Sequence, residues 1–170
     1  MVLSYCVPEV VRLDYFMGQK TARKPLAPPR SANAPPLVGV LETALYVDDL
    51  GRAVAFYERV LRLPVLFQDV RMCSLGVAPA QVLLLFVRGA SRAGIPTPGG
   101  AIPPHDGSGA AHVAFAVTRD ALSMWEEHLQ HMGVAVESRV SWPAGGTSVY
   151  FRDPDDHLLE LATPGLWPVY

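Results

Sequence analysis

Glu160 is a carboxylate in the middle of an otherwise apolar strand, Leu158-Leu-Glu-Leu-Ala162. Burying an unpaired charge costs on the order of several kcal/mol, so this side chain must meet water, a cation or a metal. Two further residues offer matching chemistry. His112 opens His112-Val-Ala-Phe-Ala-Val117, where alternation along a strand groups it with Ala114 and Ala116 and leaves room in front of the imidazole. Glu42 opens Glu42-Thr-Ala-Leu-Tyr-Val47, with Ala44 and Tyr46 on its face. Two carboxylates and an imidazole would neutralise a divalent cation and leave positions open for water or substrate. Such a set suits Fe(II), Mn(II), Zn(II), Ni(II) or Co(II) rather than soft metals. An open centre of this kind polarises a bound oxygen or lowers the pKa of a bound water.

The elements that must position these residues repeat. Residues 38–47 read as a strand and Asp48-Asp49 offers an N-cap. Ala53, Phe56, Tyr57, Val60 and Leu61 then mark one apolar helical face, which Pro64 ends. Strands are expected at 65–70, 71–77 and 81–87. After a long connection the order returns: a strand over 111–117, Thr118 as N-cap, and a helix marked by Ala121, Met124, Trp125, Leu129 and Met132. Gly133 follows as its C′ residue, with strands at 134–140, 146–152 and 157–162. Asp153-Pro-Asp-Asp156 reads as the hairpin turn between the last two. His112 follows Glu42 by seventy residues, and Gly133 follows Leu63 by the same interval. The pattern predicts an α+β fold of two paired βαβββ modules. Glu42 and His112 are equivalent positions, whereas Glu160 is matched in the first module by Leu84, which cannot bind metal.

These modules are expected at 38–88 and 110–164, within one domain spanning 38–166. Arg88–Gly109, rich in Gly, Pro, Ser and Ala, reads as a linker or a functional lid. Residues 1–37 read as a Pro-rich extension, with some apolar character over Val2–Met17 and Pro25, Pro28, Pro29, Pro35 and Pro36 close together. A formal net charge of −2 without a dense basic patch gives no reason to expect a nucleic-acid partner. The longest apolar run, Val82–Val87, is too short to cross a bilayer, and no secretory signal pattern opens the chain. Cys6 and Cys73 alone make no disulfide scaffold. The reading is therefore a cytoplasmic protein with a small-molecule substrate.

Three stretches carry a resemblance: Tyr46-Val-Asp-Asp-Leu…Ala55-Phe-Tyr, His112-Val-Ala-Phe-Ala-Val, and Tyr150-Phe-Arg-Asp-Pro-Asp-Asp-His-Leu-Leu-Glu160. Together they resemble the vicinal oxygen chelate superfamily, which includes glyoxalase I, extradiol dioxygenases, fosfomycin-resistance enzymes, methylmalonyl-CoA epimerase and bleomycin-resistance proteins. The resemblance covers about residues 38–165. It implies a U-shaped mixed sheet around a cleft, helices outside, and a metal held on the first and last strands by Glu42, His112 and Glu160. Modules in this family pair within one chain or swap between two, and a homodimer is expected. Leu84 in place of a fourth ligand weakens a glyoxalase I assignment. Tyr150 resembles a tyrosine of the extradiol signature, but Trp142, Pro143 and Ala144 stand where that signature places another histidine.

Among the remaining candidates, Tyr150 and Glu42 are expected to assist proton transfer, and Tyr46, Leu84 and Arg152 to contact substrate. Arg152 alternatively pairs with Asp153 or Asp155. His157 reads as structural or solvated, His128 and His131 as helix packing or surface. His105 and Asp106 approach the cleft only if the long connection folds over it. Two functions fit. One is a metal-dependent dioxygenase, lyase, isomerase or transferase that chelates its substrate through vicinal oxygens. The other is a metal-free protein of the bleomycin-resistance type that sequesters a ligand, with Glu42 and Glu160 as counter-ions.

Overall fold

The computed structural model describes residues 34–170. The expectations for Val2–Met17 and for Pro25–Pro29 lie outside the described residues.

The first module runs β1 (Glu42–Val47), α1 (Leu50–Val60), β2 (Val65–Gln68), β3 (Met72–Ala78) and β4 (Gln81–Val87). Asp49 is extended, and its carboxylate accepts from Arg52 N at 2.9 Å, satisfying a donor of the first turn of α1. The helix buries Ala53, Val54, Tyr57 and Val60 at helical spacing. It stops at Leu61; Arg62 turns left-handed with φ of 59°, and Pro64 follows. Crossing by way of α1, β1 lies parallel to β4, and the sheet order is β1-β4-β3-β2.

The second module repeats this plan with β7 (His112–Ala116), α2 (Leu122–His131), β8 (Ser138–Ser141), β9 (Thr147–Arg152) and β10 (Leu158–Ala162). Its sheet order is β7-β10-β9-β8, with β7 parallel to β10. The registers coincide: Ala44 faces Leu84 as Ala114 faces Glu160. The duplication read from the sequence is thus reproduced at the level of individual residue pairs.

Both modules feed one core. Leu45, Val47, Leu83 and Leu85 of the first sheet join Val149, Phe151, Leu159 and Leu161 of the second around α1 and α2. Burying a side chain of this size contributes roughly 1.5–3 kcal/mol, so this shared core fixes the pairing of the modules. Polar contacts seal the junction. Tyr57 Oη donates to Asp153 Oδ2 at 2.8 Å, Asp48 N to Asp155 Oδ1 at 2.7 Å, and the His128 ring to the Val60 carbonyl at 2.9 Å.

Several boundaries differ from the sequence reading. The first strand begins at Glu42 rather than Val38, because β4 begins at Gln81 and offers no partner further on; Leu37 and Val38 are fully exposed. Residues 134–137 are spent leaving α2 by way of Gly133, at φ of 73°, so β8 starts only at Ser138. Thr118 is extended but makes no side-chain cap bond, and a short 3-10 turn, Arg119–Ala121, leads into α2. The connection holds a small hairpin, β5 (Ile95–Thr97) and β6 (Gly100–Ile102). Three-residue strands containing Pro and Gly leave no periodic signal. No helix among the described residues is long and apolar enough to cross a membrane.

Candidate metal centre

His112 and Glu160 meet on the outer face of the second sheet. In the parallel pair β7–β10, His112 lies beside Leu158 and Ala114 beside Glu160, so both functional side chains rise on one face with only the methyl group of Ala114 between. His112 Nδ1 is 3.0 Å from the Leu158 carbonyl oxygen. A carbonyl only accepts, so Nδ1 carries a hydrogen, and Nε2 is the ring nitrogen turned to Glu160. It lies 3.1 Å from Glu160 Oε2. Two electron-rich atoms at this separation require a proton or a cation to hold them. Two ligands each about 2.1 Å from a shared ion and at right angles to each other stand about 3 Å apart. Glu160 is buried and its Oε1 has no hydrogen-bond partner among the described residues, whereas the His112 side chain is 46% exposed. A carboxylate that is buried, half-satisfied and aimed at an accessible imidazole fits a divalent cation.

Tyr150 is the cross-strand partner of Glu160 on β9, and its ring centre lies 6.2 Å from that of His112. Burial raises its phenol above the usual value; a hydrogen bond from Ser148 opposes this, and the Glu160 carboxylate adds to it. Tyr150 is therefore a protonated phenol beside the pair. Trp142, at the place of the missing histidine, donates its Nε1–H to Ser148 Oγ at 2.8 Å and fixes that wall.

Glu42 stands apart. It is exposed on β1 and opens onto a second cleft of about 460 Å³ on the first sheet, together with Tyr46, Arg71, Leu84, Phe86 and His105. Among the described residues no group of three His, Cys, Asp or Glu side chains is close enough to hold a metal. The single chain unites His112, Glu160 and Tyr150 but not Glu42. Tyr46 and Leu84 line the cleft that Glu42 opens onto. Arg152 is taken up by Glu137, at 3.2 Å to both carboxylate oxygens, and by the Asp156 carbonyl at 3.0 Å, rather than by Asp153 or Asp155.

His157 is structural. It is buried, and its Nδ1 lies 2.8 Å from Asp153 Oδ2, the oxygen that also accepts from Tyr57. The sequence reading passed over Arg71, which closes one end of the second cleft. It lies just before β3, where strand alternation would group it with the buried Cys73 and Leu75, so no sequence pattern marked it as a cleft residue.

Comparison with known proteins places the fold in a family. The family model for the glyoxalase/bleomycin resistance protein/dioxygenase superfamily matches residues 39–161. A metallothiol transferase, FosB, from Bacillus licheniformis is 27% identical over 128 residues, covering 75% of this chain and 76% of its own. The structure of a lactoylglutathione lyase from Agrobacterium tumefaciens superposes with a TM-score of 0.71 at 31% identity, covering 79% of this chain and all but 1% of that one. A fosfomycin resistance protein, FosX, from Listeria monocytogenes, solved with Mn(II) and dihydroxypropylphosphonic acid, shares the fold at 18% identity with a TM-score of 0.56, over 76% of this chain and 95% of its own. With paired βαβββ modules, a His112–Glu160 pair on the first and last strands of the second, and a model match across both, this chain belongs to the glyoxalase/bleomycin resistance protein/dioxygenase superfamily.

Proposed function

We propose that the protein is a metal-dependent enzyme whose centre is completed across a homodimer, with His112 and Glu160 from one chain and Glu42 from its partner. The observation that carries this reading is the buried Glu160, whose Oε2 lies 3.1 Å from His112 Nε2 and whose Oε1 has no hydrogen-bond partner among the described residues. Glu42, His112 and Glu160 stand outside the shared apolar core, and among the described residues no third ligand reaches the pair within one chain. A second copy of the chain, its own core intact and packed with its first sheet over the His112–Glu160 face, supplies it.

A divalent ion bound there, of the class Fe, Mn, Zn, Ni or Co, supplies Lewis acidity toward vicinal oxygens of a small substrate. The chain's own residues do the rest. Leu158 holds the tautomer of His112 through its carbonyl. Tyr150, kept protonated, donates a hydrogen bond to an oxygen that gains charge in the reaction. The apolar wall of Leu84 and Phe86 excludes water from the facing half. Transfer or lyase chemistry is favoured over ring cleavage by O₂, since the relatives named for an activity are a transferase and a lyase, and Trp142 fills the place of the extradiol histidine.

The test is complementation. Glu42→Ala and Glu160→Ala each lose bound metal on their own. When the two are unfolded together and refolded as a mixture, random pairing restores about a quarter of the wild-type metal per chain, because each mixed dimer has one intact site. No restoration, with wild-type metal at one ion per chain, places the whole centre within one chain. No metal in the wild type after reloading with each ion overturns the enzyme and leaves the ligand-sequestering function.

A further inference from the structure

We propose that His105, presented by the connection between the modules and held in place by Tyr46, is a substrate-positioning residue that, with Arg71, reads an oxyanion on an apolar body. The inference deepens the enzyme reading, since the cleft concerned is the one onto which Glu42 opens.

The connection crosses the first sheet as a fixed wall. Tyr46 Oη lies 2.7 Å from His105 Nδ1, across 59 positions of sequence. The His105 ring stands edge-on to Phe86 with centres 4.7 Å apart, and Tyr46 stacks on Phe86 at 5.8 Å while lying 5.9 Å from the His105 ring, so the three rings form one cluster. Backbone and side chains around it are pinned. His105 N donates to the Ser91 carbonyl at 3.1 Å, while Asp106 accepts from Gly89 N at 3.1 Å and from Arg92 Nε. Gly107 lies against the Tyr46 ring so closely that a Cβ would sit 2.5 Å from Cδ2. A surface loop without a task needs no such anchoring.

The chemistry follows from the pairing. Burial, and secondarily the charge of Asp106, raise the Tyr46 phenol, so it remains protonated. With the phenol as donor to Nδ1, the ring hydrogen of His105 stands on Nε2. Among the described residues Nε2 has no hydrogen-bond partner, and the ring lines the cleft. Arg71 lines the same cleft and makes a long ion pair with Asp69 at 3.7 Å. Leu84, Met72, Ile95 and Ile102 supply the apolar remainder, and the one carboxylate in the lining is Glu42, which the proposed metal centre engages. One neutral donor and one guanidinium above an aliphatic floor select a carboxylate or phosphonate carried on a small apolar group.

The experiment titrates phenylacetate and phenylphosphonate, with benzyl alcohol as uncharged control, into the full-length protein as purified, and follows the His105 ring by histidine-selective ¹⁵N NMR. Either oxyanion should bind and shift His105 Nε2, with an affinity about tenfold weaker in Arg71→Ala and in His105→Ala. His105→Gln, which keeps an N–H near the Nε2 position, should recover most of it, and Tyr46→Phe should scramble the His105 tautomer. The His112→Ala variant separates the two readings: it removes direct binding to a metal while leaving the part that depends on His105. Benzyl alcohol binding as well as the anions, no binding of either anion, or full affinity in folded His105→Ala would each overturn the assignment, whatever the metal content.

Discussion

The Tyr57 hydroxyl on α1 of the first module donates to Asp153 Oδ2 in the final turn of the second at 2.8 Å, and both side chains are buried. The same carboxylate accepts from the His157 ring at 2.8 Å, from His157 N at 2.8 Å and from Asp155 N at 2.9 Å. One aspartate thus closes its own turn and ties it to the opposite module.

Tyr57→Phe removes one donor to a buried carboxylate and keeps the ring. Hydrogen bonds to charged groups contribute roughly 1.5–3 kcal/mol, so stability should fall within that range. The denaturant midpoint reads this, while bound metal per chain should stay unchanged.

Burial works to raise the Asp153 carboxyl, but the hydrogen bonds from His157 and Tyr57 outweigh it and hold the group below the usual carboxylate value. A depressed folded value contributes stability that is present in full above the unfolded value of about 3.9 and is lost as pH falls through the folded one. Urea midpoints compared at neutral pH and below about pH 4 should show this loss in the wild type. Asp153→Asn, weaker at neutrality, should lose less on acidification.

Glu160→Leu places in the second module the residue that the first already carries as Leu84. It should abolish metal binding yet raise the stability of the metal-free protein by roughly 1–2 kcal/mol, because a buried carboxylate oxygen without a partner is replaced by apolar contact. Elemental analysis and thermal unfolding of the chelator-treated protein check the two halves. A destabilised variant would show that Glu160 is satisfied without a cation.

Gly107→Ala should force the connection off the Tyr46 ring, because the new methyl would overlap Cδ2 and Cε2. Overpacking of this kind costs typically 1–3 kcal/mol. The cost should appear locally: faster amide exchange at His105, whose N–H is bonded to Ser91, with the exchange of β9 and β10 unaltered.

The sequence by itself determined the modular plan. Strand alternation placed His112 with Ala114, and Val113 with Phe115, on opposite faces, and the seventy-residue interval made Glu42 the counterpart of His112. These are local periodicities and a duplication, and the backbone obeys both: Ala44–Leu84 and Ala114–Glu160 are matched pairs. The Asp49 cap was equally legible, since its partner is only three residues away.

Tertiary structure decided what depends on distance across the chain. Arg152 carries no mark that its partner is Glu137 on the neighbouring strand, nor His157 that it will share Asp153 with Tyr57. The connection lacked any period because its order comes from single contacts, His105 to Tyr46 and Asp106 to Gly89, rather than from a repeating face. The separation of Glu42 from the His112–Glu160 pair was beyond the sequence for the same reason. Equivalent residues of a duplication share a local environment, but which pair meets at a common point is set by how the shared core packs the modules.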